Sequence, residues 1–315
     1  MAHISIIIPA HNAEFTIERC IRSIYDNQCS EIEAIVVINN TTDKTKMICE
    51  DLKKKHPSLI TISSSDCGVS AARNLGLDYA TGDFIGFCDA DDYYESNAID
   101  RVIKLMDNSD IDFLITRFYR VEKINDKIVR KISSREMNNR TIDSKAARGA
   151  VLNDSSVMGS VWNKFYKSEV IKNQSFDEEL THCEDTYFNM KVLKNDSLKI
   201  ELSNIISYNY VKNPDGATEN TDKCYSNEGK LNYLFAFEKI QSEYEDDFKV
   251  RLEARYAMYV IAVMNYSKNL IKERKKYLKK CILSNWISVI LLPKYGIKKN
   301  VKLLLKGTLI MFRLL

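Results

Sequence analysis

Proline and glycine are scarce in this 315-residue chain, at four and ten residues. That scarcity argues against long disordered linkers, and neither a low-complexity tract nor an internal repeat stands out. The eight cysteines are scattered and none forms a C-x-x-C pair, so neither a zinc site nor a disulfide framework is indicated. They read as reduced thiols of a cytoplasmic protein. The first residues lack a basic segment, and Ile4 to Ile8 is too short an apolar run for a secretory leader. Acidic residues are almost missing from the C-terminal end. Between Lys268 and Leu315 thirteen lysines and arginines face one acid, Glu273. Because the whole chain carries only +3, the first 267 residues hold a surplus of about nine negative charges.

What is present is the composition of a globular protein, 45% hydrophobic and 28% charged. Short β-branched runs alternate with stretches of helical spacing. Ile4 to Ile8, Ile35 to Ile38, Leu59 to Ile62 and Phe84 to Cys88 read as strands. Between them lie predicted helices over Glu14 to Asn27, Thr45 to Lys55 and Val69 to Tyr79, the second with Thr42 or Asp43 as its cap. This β-α-β-α-β-α-β alternation implies an α/β fold, a mostly parallel sheet with helices on both faces. In such sheets ligands bind beyond the carboxyl ends of the strands. Those ends carry every conspicuous polar loop: Pro9 to Glu14, Asn39 to Asp43, Ser64 to Gly68 and Asp89 to Asp92. A helix with Ile99, Val102, Ile103 and Met106 inside follows, then a strand from Ile111, a hairpin about Asn125-Asp126, a helix over Asp143 to Leu152, and a strand over Ile205 to Val211. After about residue 220 the spacing is helical throughout, which predicts two regions, 1–220 and 221–315.

The segment Thr81 to Asp92, TGDFIGFCDADD, concentrates the charge. An apolar run ends on three carboxylates in four residues. Two like charges about 4 Å apart repel by roughly 1 kcal/mol in water and several-fold more near a protein surface. A divalent cation with oxygen ligands, itself bridging to phosphate, is the natural compensation. The plainer reading is a solvated acidic turn with Asp92 or Ser96 capping the next helix.

Taken together the loops resemble a family 2 inverting glycosyltransferase of bacterial glycan synthesis, with the GT-A fold, over roughly residues 3–215. The residues that carry the resemblance run in order along the chain. They are Ser5 to Asn12 with Glu14, Glu33, Thr41-Thr42-Asp43, Gly68 to Gly76, Thr81-Gly82-Asp83, Asp89-Ala90-Asp91-Asp92, Trp162-Asn163-Lys164 and Glu184-Asp185. Such enzymes move a sugar from a nucleotide diphosphate to an acceptor hydroxyl in one in-line displacement. The resemblance implies Asp185 as general base, with Glu184 the alternative, and Asp91 with Asp89 as ligands of Mn2+ or Mg2+. It places Pro9, His11, Glu14, Asn39, Gly68, Arg73, Asp89, Ala90 and Lys164 with the nucleotide-sugar, Lys164 reaching phosphate. Trp162 reads as a packed aromatic or as a platform for the acceptor sugar. The dipole of the helix that Asp185 begins is expected to keep that carboxylate ionised. The loop from Lys212 to Thr218 corresponds to a lid in relatives.

One position departs from the family pattern: Asn39 stands where Asp is usual. An asparagine can accept from the N3–H of uracil through its carbonyl or donate to N3 of cytosine through its amide. A UDP-sugar is the favoured donor on family grounds, and the sequence leaves cytidine open. The acceptor is expected to be a glycan or a lipid-linked saccharide. The tail reads in three ways. Val301 to Leu315 suits an interfacial helix on the inner face of a bacterial membrane, a helix closing a bundle or oligomer, or, last, a nucleic-acid contact. Trp286 to Leu292 is too short to span a bilayer. Two rivals to the transferase remain. A sugar-1-phosphate nucleotidyltransferase would want a glycine-rich basic loop after the first strand, which Pro9 to Glu14 is not; a non-catalytic sugar-nucleotide binder would have no need of both Asp91 and Asp185.

Overall fold

The computed structural model describes residues 3–27, 31–65, 68–124, 127–213, 231–266, 272–291 and 297–311. The expected turn at Asn125-Asp126, the lid segment from 214 onward, the boundary near 220 and the last four residues lie outside these. The chain divides into two compact units, Met1–Gly216 and Ala217–Leu315.

The first unit opens with β1 (Ile4–Ala10), α1 (Ile17–Tyr25), β2 (Ile32–Asn39), α2 (Thr45–Lys53), β3 (Leu59–Ser64), α3 (Val69–Tyr79) and β4 (Phe84–Phe87). β1 pairs in parallel with both β2 and β4, and β2 with β3. β1 and β2 are buried almost from end to end, as central strands covered on both faces must be. Ile17, Cys20, Ile21 and Ile24 form the buried face of α1.

β1 runs two residues past the predicted stop, through Pro9. The Cys88 N–H donates to the Ile7 carbonyl at 3.0 Å, so Ile7 faces β4, and Pro9 faces the same way two residues on. There β4 has already ended, and no ladder bond needs the N–H that proline lacks.

The chain continues through β5 (Tyr93–Tyr94), α4 (Ala98–Asp107), β6 (Phe113–Ile124), β7 (Lys127–Ser133), β8 (Arg140–Ile142), α5 (Ser144–Asn153), β9 (Lys164–Lys167), α6 (Ser168–Ile171), α7 (Glu184–Val192) and β10 (Ile200–Val211). Among the described residues the sheet has ten strands, ordered β3-β2-β1-β4-β9-β6-β10-β5, with β7 on β6 and β8 on β10. β6 and β10 are again parallel, and β9 lies antiparallel between β4 and β6. The reversal brings the start of β9, and the loop before it, to the edge where β1, β2 and β4 end. Asp143 caps α5 by accepting from the Ala146 N–H. Asp92 does not cap α4: it is 1% exposed and accepts the Val211 N–H at 2.6 Å.

Several family-pattern residues are scaffold. Buried Glu33 accepts from the Ser5 hydroxyl and from the Thr81 N–H and hydroxyl, which ties the 81–83 turn to β1 and β2. A Cβ at Gly82 would lie 2.6 Å from the Ser5 nitrogen and 2.9 Å from the Phe84 oxygen.

The second unit holds α8 (Asn232–Glu243), α9 (Phe248–Tyr266), α10 (Lys272–Asn285), α11 (Ile287–Leu291) and α12 (Ile297–Met311). Tyr259 donates to the Leu303 carbonyl at 3.0 Å, and Asn300 donates to the Val289 carbonyl at 3.1 Å, fixing α12 against α9 and α11. No helix among the described residues is long and apolar enough to cross a membrane.

Because the atoms crowding Gly82 include rigid backbone, Gly82→Ala is expected to lose about 1–3 kcal/mol of unfolding free energy. Urea titration checks this; an unchanged midpoint would refute the close approach.

Candidate active site

At the carboxyl edge of the sheet, Pro9, Ala10, His11, Asn39, Asn40, Gly68, Val69 and Ala72 line a cavity of about 420 Å³. Its walls are the ends of β1 and β2 and the start of α3. The His11 Nδ1 lies 2.8 Å from the Asn39 carbonyl, which can only accept, so Nδ1 carries the proton. Nε2 then accepts from the Asn12 amide at 3.3 Å, and the exposed ring is held at both nitrogens. Gly68 has φ +108°, a backbone that side chains rarely adopt. Its carbonyl accepts from Asn39 Nδ2 at 2.8 Å. That bond fixes which way the amide points. Asn39 Oδ1 is buried without a hydrogen-bond partner among the described residues. Asn39 is one of the residues that line the cavity, and its oxygen is the side-chain atom left without a partner. Glu14 does not line it; its carboxylate accepts the Lys44 N–H at 3.3 Å and braces the neighbouring loop.

Beyond the cavity Arg73, 4% exposed, donates to Glu184 at 2.7 Å and to Asp89 at 3.0 Å. Its guanidinium lies over the Phe176 ring. One buried cation thus joins the end of β4 to the start of α7. The Asp89 N–H donates to the Tyr208 hydroxyl at 2.9 Å. Ala90 is buried in the core. Asp91 is half-buried and accepts from Asn213 at 3.3 Å. Burial, with the charge of Asp89 added, raises the Asp91 carboxyl above the usual carboxylate range. The same causes act more strongly on Asp92.

Asp185 lies in the first turn of α7. Burial and the charge of Glu184 push it up to about 6, against the opposing pull of Arg73, the Thr186 N–H and Lys164. The expectation that the helix end would hold it low is therefore corrected: desolvation outweighs the dipole.

Two further expectations are corrected. Lys164 cannot reach phosphate. It is fully buried, and its ammonium donates to the carbonyls of Val157, Met158 and Ser160 and to Asn163 Oδ1. Trp162 is no acceptor platform. It is 4% exposed, stacks on Tyr208 and Tyr210, and meets Phe118 edge-on. Both residues sit where β9 enters the sheet.

The sequence reading passed over Asn189. Its side-chain amide donates to the carbonyls of Gly159 at 2.7 Å and Asp185 at 3.0 Å, and its oxygen accepts from Tyr166 at 2.7 Å. The signal was present in the spacing, since Asp185 and Asn189 share a helix face at i, i+4.

Comparison with known proteins agrees with this arrangement. Residues 5–174 match the pattern of Glycosyl transferase family 2. The chain belongs to that family. The uncharacterized glycosyltransferase EpsJ of Bacillus subtilis is 29% identical over 225 residues, 69% of this chain and 63% of its own length. The poly(ribitol-phosphate) beta-N-acetylglucosaminyltransferase TarS of Staphylococcus aureus is 24% identical over 81% of this chain and 44% of its own. The chain thus spans less than two thirds of these relatives. The crystal structure of TarS 1-349 in complex with UDP-GlcNAc superposes with a TM-score of 0.72 at 19% identity, covering 99% of this chain and 91% of that one. A mannosyltransferase from Pyrobaculum calidifontis, in complex with GDP-Man and Mn2+, does so at 0.51 and 13% identity, covering 99% and 81%.

The raised Asp185 gives a stability test. At pH 8 the folded protein holds this carboxylate ionised against its preference; below about 6 the folded state binds the proton and the cost shrinks, disappearing only below the unfolded carboxyl's value of about 4. Asp185→Asn is therefore expected to raise the melting temperature by about 2–4 °C at pH 8 and by less at pH 5. A variant that melts lower than the parent at pH 8 would contradict the assigned cause.

Proposed function

We propose that this chain is a glycosyltransferase that takes a UDP-sugar and passes the sugar, with inversion, to a hydroxyl of a glycan or lipid-linked saccharide. The observation that carries the donor choice is Asn39. Its Nδ2 is committed to the Gly68 carbonyl, which leaves Oδ1 as the side-chain atom with a bond still to make to a base. Uracil offers N3–H to that acceptor; cytosine offers a lone pair and would be repelled. The tethered His11 ring supplies a flat surface for the base beside it.

In the transfer, the acceptor oxygen attacks the anomeric carbon as the bond from that carbon to the diphosphate oxygen breaks. The acceptor's proton passes to Asp185, and UDP leaves. A carboxyl poised near 6 is ionised at neutral pH yet basic enough to take a proton, and general-base help of this kind is worth about 10²–10⁴-fold. Glu184, paired with Arg73, serves to hold Arg73 rather than as base.

Asp91 and Asp89 would hold Mn2+ or Mg2+. Among the described residues no group of three or more His, Cys, Asp or Glu could enclose an ion. Two carboxylates suit a cation whose remaining ligands come from donor phosphates and water. The raised Asp91, crowded by Asp89, marks a place short of positive charge. When bound, the ion neutralises charge on the departing diphosphate.

The second unit would meet an anionic membrane surface. Leu283, Trp286, Ile287, Ile290 and Leu291 on and between α10 and α11 are 41–60% exposed, and Val301, Leu305 and Leu309 form an exposed stripe on α12. Lysines 275, 276, 280 and 302 are exposed on α10 and α12. The bundle and interfacial readings of the tail are thereby compatible, since α12 packs with one face and exposes the other. Sedimentation with phosphatidylglycerol vesicles is expected, falling sharply with Leu305→Glu/Trp286→Glu; equal sedimentation with phosphatidylcholine, or none, would oppose this.

The donor reading is tested by calorimetric titration with UDP, CDP, GDP and N3-methyl-UDP, with and without Mn2+. UDP is expected to bind at least about tenfold more tightly than CDP or the N3-methyl analogue, one hydrogen bond's worth. Mn2+ is expected to tighten UDP binding in the parent and not in Asp91→Ala. Equal affinity for UDP and N3-methyl-UDP would remove Asn39 as the reader, and GDP binding as tightly as UDP would overturn the uridine choice.

A further inference from the structure

Three features outside the donor pocket bear on ligand binding or reactivity among the described residues. Among the described residues, none of those lining a cavity of about 420 Å³ between α3 and α6 has a buried side-chain nitrogen or oxygen left unpartnered. Cys20 and Cys88 bring their sulfurs to 3.5 Å, fully buried behind Asp89, beyond the reach of an oxidant. The third, the cluster around Lys164 and Asn189, adjoins Asp185.

The loop from Val157 to Ser160 carries the details of a built part. Met158 adopts a left-handed backbone, φ 55°. A Cβ at Gly159 would lie 1.8 Å from the Thr186 hydroxyl, so this loop presses against the residue next to Asp185. Two side chains from different elements hold it there. Lys164, at the start of β9, gathers three of its carbonyls at 2.6–3.0 Å. Asn189, one turn along α7, takes the Gly159 carbonyl and the Asp185 carbonyl with the same amide nitrogen. Tyr166, also on β9, holds the other end of that amide at 2.7 Å. Burying a lysine is costly unless its donors are all met, and here four acceptors meet three donors.

We infer that Lys164 and Asn189 are positioning residues for Asp185, pinning the 157–160 loop against the first turn of α7 so that the carboxylate is aimed at the acceptor. The inference rests on Asp185 being the base. Proximity argues for a second effect. The charged groups acting on Asp185 are Glu184 and Arg73 from the bridge, and Lys164 from β9; Tyr166 is a further titratable neighbour. Of these, Arg73 and Lys164 favour the ionised carboxylate, and Lys164 is the one bonded to the loop carbonyls.

The experiment measures UDP release from UDP-GlcNAc and from UDP-Glc with water as acceptor, across pH 5–9, together with UDP affinity and melting temperature. The variants are Lys164→Met, Lys164→Arg, Asn189→Ala and Asp185→Asn. Asn189→Ala and Lys164→Met are expected to lower kcat by about 10–100-fold while UDP affinity stays within about twofold. Lys164→Met should also move the acid limb of the profile upward by about one pH unit, since a neighbouring cation is lost, and Lys164→Arg should restore the limb in part. If Lys164→Met does not fold, Asn189→Ala decides alone. Folded variants with parental kcat and an unmoved limb would overturn the positioning role. So would losses of UDP affinity matching the losses in kcat, which are the mark of general structural damage. Asp185→Asn separates this failure from that of the base: full activity in Asp185→Asn removes the base itself, whereas an inactive Asp185→Asn beside fully active Lys164→Met and Asn189→Ala removes only the positioning.

Discussion

The arrangement depends on one buried guanidinium. Arg73 reaches Asp89 at the end of β4 with one nitrogen and Glu184 at the start of α7 with the other. These carboxylates come from segments far apart in sequence, and without the cation they would repel across a poorly solvated gap. A buried pair of this kind adds little net stability against an apolar equivalent, but losing one partner strands charge and is strongly destabilising. Its value is geometric. The planar fork fixes the angle between the end of β4 and the start of α7 as a single ammonium cannot. α3, which delivers Arg73, is itself set closely on β1, where Gly76 leaves no room for a Cβ against Ile7. The cavity lined by the start of α3 shares that reference.

The site is also where the structure gives up local comfort. Asp91, Asp92 and Asp185 all hold their protons more tightly than free carboxylates because burial disfavours their charge. Lys164 releases its proton more easily, down to about 7, for the same reason. Groups tuned in opposite directions within one edge of a sheet are the pattern expected where proton transfer and phosphate charge must be managed, and a fold optimised for stability alone would not keep them.

The first half of the sheet was legible in the sequence because buried parallel strands are continuous apolar runs and α1 and α4 keep a clear helical spacing. The candidate site was legible as a set of loops on one edge. What could not be read were orientations. Nothing in the sequence says which way the Asn39 amide turns; the Gly68 carbonyl decides it. β9 is four residues long and begins with a lysine, so neither its antiparallel course nor the burial of Lys164 is visible to a rule that places lysines at the surface. Trp162 was read two ways for the same reason, and the stack on Tyr208 and Tyr210 settles it as core. Asp185 went astray on a magnitude: the dipole argument had the right sign and lost to burial.

The most direct test of this account replaces Arg73 and follows both halves of the site at once. UDP release from UDP-GlcNAc and calorimetric UDP affinity would be measured for Arg73→Lys and Arg73→Met, with circular dichroism to confirm folding. If Arg73 joins donor and base, Arg73→Met loses about 10²-fold or more in turnover together with UDP affinity, and Arg73→Lys retains UDP affinity better than turnover because charge survives while the fork does not. Turnover within about twofold of the parent in a folded Arg73→Met would contradict the central claim, since the two ends of the site would then be held in line by something else.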